Sequence, residues 1–275
     1  MKTMLPSQDR VKLVSWVKNP IRFYLNTKFR DFWKITWSQH GEDVCLLSLI
    51  RNIQIRSEKN KNSKFSNLVL PSLFGHSRYS GTYLDIGCHH PRRFSNTKLF
   101  YDLGWGGVNV DASAQTIKLF EQERKRDVNL NLLIGLPGSV NFVEYEDSAL
   151  NTADSALYKS YQKLKGDKFK IISKSKMKKV SLEYLLDKYF TDSRLDILFI
   201  DCEGLDFEIL VSGKLHKRDL YKLPRFIVFE SIFVETGNLK PDKSLNLLKS
   251  LGYITLLVLP KSVVMGIASR SNDRV

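Results

Sequence analysis

The stretch from Tyr83 to Asp111 sets the tightest limit on how this chain can fold. It begins Tyr-Leu-Asp-Ile-Gly-Cys-His-His-Pro at Tyr83 and ends Val-Asn-Val-Asp at Asp111. A short apolar run closes on Asp85 and Gly87. A polar turn, a helical pattern and a Gly-Trp-Gly-Gly turn at Gly104–Gly107 follow, and a second apolar run closes on Asp111. The two acids are separated by about the length of one strand–helix–strand unit. Glycine at the first turn lets backbone approach a ligand, and the helix N-terminus beyond it offers free N–H groups. An acid at the end of the second strand can accept hydrogen bonds from both hydroxyls of a ribose. The pattern suits a nucleoside-containing ligand.

Downstream the same alternation repeats. Strands are expected at Thr82–Ile86, Gly107–Val110, Asn129–Ile134, Leu195–Ile200 and Arg225–Phe229. Helices are expected at Asn96–Leu103, Ala114–Lys125, Ser181–Tyr189 (with Ser181 as cap), Phe207–Ser212 and Lys243–Leu251. Val140–Tyr145 reads as a short extra strand, residues 148–179 as a polar and basic insertion, and residues 51–66 as an exposed loop. Alternation of this kind predicts an α/β fold: a doubly wound, mostly parallel sheet covered by helices on both faces. The last two strands, Ile254–Leu259 and Val263–Ala268, are too close in sequence for a helical crossover and must form an antiparallel hairpin. That ending is typical of the Rossmann-like class I methyltransferase architecture.

The ligand class narrows further at the first turn. A dinucleotide fold places its third glycine where helix and strand pack beneath a pyrophosphate. Here His90, Pro91 and Arg92 occupy that region, which counts against NAD or FAD. Open α/β sheets bind ligands outside the carboxyl ends of their strands, so Asp85, Asp111, Asp201 and Glu230 all fall on one edge. Four acids there stand out in a chain with 43 Lys and Arg against 29 Asp and Glu, net +14. The excess positive charge calls for an anionic partner or is solvated surface.

Residues 1–37 form a basic, aromatic extension read as interrupted helices, which either pack on the main domain or lie on an anionic membrane. Residues 38–275 form the main domain. Ser38–Asp43 precedes an apolar run, as at a helix start, but is more polar than a cap requires. It is a candidate binding turn, with Gln39 and Glu42 directed at the ligand. Cys45, Cys88 and Cys202 have neither disulfide nor zinc-ligand spacing. The first residues lack the apolar core of a signal peptide, and no run is long enough to span a membrane. These features predict a cytoplasmic protein whose membrane contact, if any, is peripheral.

Four segments together resemble the FkbM family of methyltransferases: Ser38-Gln-x-Gly-Glu-Asp43, Asp85-Ile-Gly-Cys-His with Phe94-Ser-Asn-Thr97, Gly104-Trp-Gly-Gly-Val-Asn-Val-Asp111, and Ile200-Asp-Cys-Glu-Gly-Leu-Asp206 with Glu208-Ile-Leu. They occur in family order over roughly residues 38–265, with His90-Pro91 where many members carry a further glycine. The resemblance implies transfer of a methyl group from S-adenosylmethionine, commonly to an oxygen of a sugar or natural product. It implies donor contacts from Asp85, Gly87, His89, Ser95, Asn96, Asp111, Ala112, Gln39 and Glu42.

Methyl transfer to oxygen needs donor and acceptor aligned and the hydroxyl proton removed. Asp201 is the first candidate base, with Glu203 and His90 as further catalytic candidates and Asp206 and Glu230 as acceptor-binding ones. Alternatively, Asp201, Glu203 and Asp206 could hold Mg²⁺ and orient a diol. The expected acceptor is a saccharide or other small molecule, anionic if the basic segments steer it. Nucleic acid is disfavoured, because no Pro-Pro-Tyr/Phe or Pro-Cys methylation motif and no RNA-recognition or zinc module is present. The competing reading is a non-catalytic methyltransferase-like domain that binds an anionic membrane or nucleic acid.

Overall fold

The computed structural model describes residues 36–59, 81–191, 195–202, 204–231 and 242–267, with the side chains of 51–59 excepted. The predicted N-terminal helices lie outside these residues. The main sheet is built from β1 (Thr82–Ile86), β2 (Gly106–Asp111), β3 (Val128–Asn131), β7 (Ile197–Ile200), β8 (Phe226–Glu230), β9 (Tyr253–Val258) and β10 (Ser262–Ile267). Their order is β3-β2-β1-β7-β8-β10-β9. The first five are mutually parallel, and β10 runs antiparallel to both β8 and β9. The doubly wound sheet and its closing hairpin are as the alternation predicts.

Strand periodicity divides the core into two layers. Leu84, Ile86, Leu198, Ile200, Ile227 and Phe229 face one side, where they pack with α5 (Leu182–Tyr189), α6 (Asp206–Ser212) and α7 (Lys243–Ser250). The alternate residues Tyr83, Ile197, Phe199, Phe226 and Val228 face the other, against α1 (Glu42–Lys59), α2 (Lys98–Asp102) and the buried Trp105. Period-two side chains that are apolar at every position need cover on both faces, and these helices supply it. Ser181 caps α5 by accepting a hydrogen bond from the Tyr184 N–H, as its position before the apolar run suggests. No helix among the described residues is long and apolar enough to cross a membrane.

Three expectations change. The loop predicted for 51–66 is helical through Lys59, because α1 continues beyond its apolar first half; residues 60–66 lie outside the described part. The strand expected at Asn129–Ile134 splits. β3 ends at Asn131, and β4 (Leu133–Ile134) leaves for a second sheet, which it forms with β5 (Gly138–Tyr145) and β6 (Ile171–Val180) in the order β4-β6-β5. The turn is pinned where the Leu132 N–H donates to the Asp111 carbonyl.

The insertion at 148–179 is ordered. It holds α4 (Ser155–Tyr161) and most of β6 (Ile171–Val180), which pairs antiparallel with β5 (Gly138–Tyr145). Lysines alternating with small or apolar residues along β6 hide its strand character from a hydropathy reading, but pairing on both edges fixes it.

Candidate functional site

The main cavity opens at the carboxyl ends of β1, β2, β7 and β8 and encloses about 410 Å³. Its lining includes Asp85–His89 after β1, Asp111 and Ala112 after β2, Asp201 and Cys202 after β7, and Glu230 at the end of β8. Gly87 sits where these turns come together, with φ +80°. Its N–H donates to the Val110 carbonyl at 2.9 Å, and the Asp201 N–H donates to Ile86 at 3.0 Å. A Cβ on Gly87 would run into the Asp201 carbonyl group and lie 2.9 Å from Cys202 Sγ. Glycine is therefore required here both by the backbone conformation and by the approach of the β7 turn.

Asp111 holds the neighbouring turn together. Its Oδ2 accepts from the His89 N–H at 3.0 Å and its Oδ1 from the Ser113 N–H at 2.8 Å. Burial raises its pKa to about 6, against the pull of those two backbone hydrogen bonds. Each carboxylate oxygen keeps a second lone pair for a ligand hydroxyl.

Asp85 is 1% exposed and accepts from Thr97 Oγ1 at 2.8 Å. It lines the cavity floor while fixing the residue that leads into α2. Burial lifts its pKa to about 7, and the Thr97 hydrogen bond opposes the shift. His89 adopts φ +54° and stacks on Phe94, with ring centroids 6.3 Å apart. Burial, then the Arg93 charge, lowers its pKa to about 4, so its ring is neutral near pH 7. Among the described residues its buried Nε2 has no hydrogen-bond partner at the cavity wall, an acceptor or donor open to a ligand.

Arg124, fully buried, anchors the loop behind this wall. Its guanidinium donates to the Pro91 carbonyl at 2.9 Å, to Ser95 Oγ at 3.0 Å and to the Thr97 carbonyl at 3.4 Å. In sequence it is one residue of the helix expected at Ala114–Lys125, with no signal of its own.

A smaller hollow of about 20 Å³ adjoins the main cavity and shares Gln39, Phe94, Asn96, Asp201, Glu230 and Lys261 with it. The turn predicted to bind ligand forms its wall. Glu42 Oε2 accepts from the His40 N–H at 2.9 Å, and Oε1 accepts from Ser262 Oγ at 2.8 Å. Asp43 accepts from Ser38 Oγ and from the Trp37 N–H, both at 2.9 Å. His40 lines this hollow, and its buried Nε2 has no partner among the described residues.

Of the predicted residues, Asp85, Gly87, His89, Asn96, Asp111, Ala112, Gln39, Asp201 and Glu230 line the main cavity. Four others fall elsewhere. Ser95 is buried behind the wall, bonded to Arg124 and to the Lys98 N–H. His90 caps its own turn, its Nδ1 accepting from the N–H groups of Arg92 and Arg93 at 3.0 Å each. Glu42 lines only the smaller hollow and ties α1 to β10.

Asp206 is 7% exposed, behind the lining, and its Oδ1 has no partner among the described residues. Burial and then the Glu230 charge raise its pKa to about 8. Glu203 lies outside the described residues. Among the described residues no group of three His, Cys, Asp or Glu side chains converges in a metal-binding arrangement. Sequence reading missed Phe94, Thr116, Lys168, Lys261 and the whole Ser148–Ala153 segment, all of which line the cavity. The 148–153 segment carries no motif and reaches the site only through the folding of the insertion.

The parallel sheet with its antiparallel β10, opening a nucleoside-sized cavity at the carboxyl ends, is of class I methyltransferase type. The chain belongs to the FkbM methyltransferase family: the model described as Methyltransferase FkbM domain matches residues 85–255, more than half its length. Two solved structures show likeness. A putative O-methyltransferase from Klebsiella pneumoniae is 9% identical, with 85% of this chain and 98% of the other covered at a TM-score of 0.36. The S-adenosylhomocysteine-bound Podospora anserina methyltransferase PaMTH1 is 13% identical, with 98% and 100% covered at a TM-score of 0.35. No curated protein matches the chain.

Proposed function

We propose that this protein transfers a methyl group from S-adenosylmethionine to a hydroxyl oxygen of a saccharide or glycosylated metabolite. The observation that carries the reading is the pairing, around one cavity of about 410 Å³, of Asp111 on one side with Asp201 and Glu230 on the other. A cavity of that size is in the range of small-molecule and cofactor sites. The donor fits the residues present: the buried, unpartnered Nε2 of His89 at the wall and the spare lone pairs of Asp111 both need polar ligand atoms. When bound, S-adenosylmethionine supplies an electrophilic methyl group on a sulfonium centre.

In this reading Asp111 accepts the ribose hydroxyls, and the Gly87 turn lets the backbone lie close to the donor. Asp201, exposed at the end of β7 on the boundary between the two hollows, takes the proton from the acceptor hydroxyl. Glu230 orients the acceptor from the end of β8. Phe94 and the Ser148–Leu150 turn limit water access.

Isothermal titration with S-adenosylhomocysteine tests the donor half: the protein binds it, and Asp111→Ala weakens binding at least tenfold. Unchanged affinity in that variant would overturn the site assignment. For the acceptor half, Asp201→Asn should lower turnover by about 10²–10⁴ with S-adenosylhomocysteine affinity retained. Mass spectrometry of cell-surface glycans and sugar nucleotides, with and without the gene, then identifies the acceptor by its lost methyl group.

A further inference from the structure

One segment of the chain is densely basic and contributes Lys168 to the cavity lining. Between Ser155 and Val180 there are nine lysines and one acid, Asp167. On β6, Lys174, Lys176 and Lys178 are exposed and occupy alternate positions, so they project from one face of the strand, about 7 Å apart. From the opposite face Met177 and its cross-strand neighbour Val140 lie against the core, as does Phe142, while on the lysine side Val143, the partner of Lys174, is buried.

The lysine face has no carboxylate of its own. Among the described residues, Lys176 and Lys178 make no ion pair, and Lys174 contacts the Tyr158 hydroxyl and ring. Among the described residues Lys179, at an odd position, is neutralised by Glu208 at 2.5 Å.

Charge alone would suit any polyanion, but two further observations narrow the partner. Ile172 lies two residues before Lys174, at an irregularity in the β5–β6 ladder, and is 54% exposed, and Leu164 stands 51% exposed between Lys163 and Lys165 in the turn after α4. Exposed aliphatic side chains set among lysines are the composition of a surface that seats in the headgroup layer of an anionic bilayer. The residues paired with Lys176 and Lys178 across the ladder are Asn141 and Ser139. Neither offers a ring on which a nucleobase could stack, as single-stranded nucleic-acid sites do.

We infer that the outer face of the β5–β6 arm is a docking surface for an anionic lipid membrane. The lysine row of β6 supplies the attraction, and Ile172 and Leu164 supply shallow insertion. The inference does not depend on the identity of the methyl acceptor. It implies a catalytic cavity held near a bilayer, where lipid-linked saccharides would be within reach.

The test is co-sedimentation of the full chain with phosphatidylcholine vesicles, with and without phosphatidylserine, at low and high salt. Binding should require phosphatidylserine and weaken with salt. The combined Lys174→Gln, Lys176→Gln and Lys178→Gln variant should bind on the order of 100-fold more weakly. Ile172→Asp should weaken binding by roughly tenfold through lost insertion and added negative charge. S-adenosylhomocysteine affinity, which reads the cavity and folding together, should be unchanged in both variants. Retention of vesicle binding by the triple-lysine variant to within about twofold would overturn the proposal. So would preferential binding of the wild-type chain to single-stranded RNA or polygalacturonate over phosphatidylserine vesicles in direct competition.

Discussion

Replacing Gly87 with alanine tests the construction of the site at its narrowest point. The backbone there has φ +80°, and holding a non-glycine residue in such a region costs about 1–3 kcal/mol. The added methyl would also collide with the Asp201 carbonyl oxygen and sit 2.9 Å from both the Asp201 carbonyl carbon and Cys202 Sγ. Those atoms belong to a turn fixed by the Asp201 N–H bond to Ile86, so relief requires moving backbone. Forcing extra volume into a packed region costs roughly 1–3 kcal/mol more.

The expected loss is therefore about 2–6 kcal/mol, a large part of a typical stability of about 5–15 kcal/mol. Because β1 and β7 must separate where ligand binds, S-adenosylhomocysteine affinity should fall at least tenfold under conditions where the variant is folded. Urea unfolding and calorimetry measure the two effects. Gly106→Ala is the control, since a methyl there meets nothing within 4 Å and should change stability by under about 0.5 kcal/mol. If Gly87→Ala behaved like that control in both assays, the steric account of the turn would be refuted.

Arg124→Ala removes a buried cation and leaves the Pro91 and Thr97 carbonyls and Ser95 Oγ without their donor. The expected destabilisation is about 2–4 kcal/mol in urea unfolding, and a loss below 1 kcal/mol would show that the anchor is replaceable. Asp206 has a folded-state pKa near 8, raised from 3.8. Its neutral form is favoured in the fold, so its contribution is fully present below about pH 4 and is lost as pH rises through about 8. Asp206→Asn stays neutral throughout, so wild type should lose stability relative to the variant as pH rises across that window. Parallel urea midpoints across pH would contradict the buried-acid account.

How far each part could be read in advance depended on the distance over which its signal acts. Asp85, Gly87 and Asp111 were legible because strand-end acids and turn glycines are local patterns, and one periodic alternation implied the parallel sheet. His90 and Ser95 misled for the same reason. A polar residue in a binding-like turn looks identical whether it faces ligand or backbone, and here His90 caps its own turn while Ser95 bonds to Arg124. Arg124 was illegible because its partners lie 27 to 33 positions upstream, in a loop whose path no local pattern records.

By itself, then, the sequence determined the doubly wound sheet, the antiparallel ending and the row of acids along the strand ends. Those follow from hydropathy period, turn chemistry and the rule that parallel strands align their carboxyl ends. Packing between distant segments is what brings all four of those acids to one cavity and leaves Glu42 and Asp206 outside its lining. It took contacts such as that of Glu42 with Ser262, 220 positions apart, to fix the mouth of the site. It also took the folding of the β5–β6 insertion to bring Ser148–Ala153 to the cavity wall while turning a row of lysines outward. Contacts between distant segments depend on how whole elements pack, and no short window of residues encodes that.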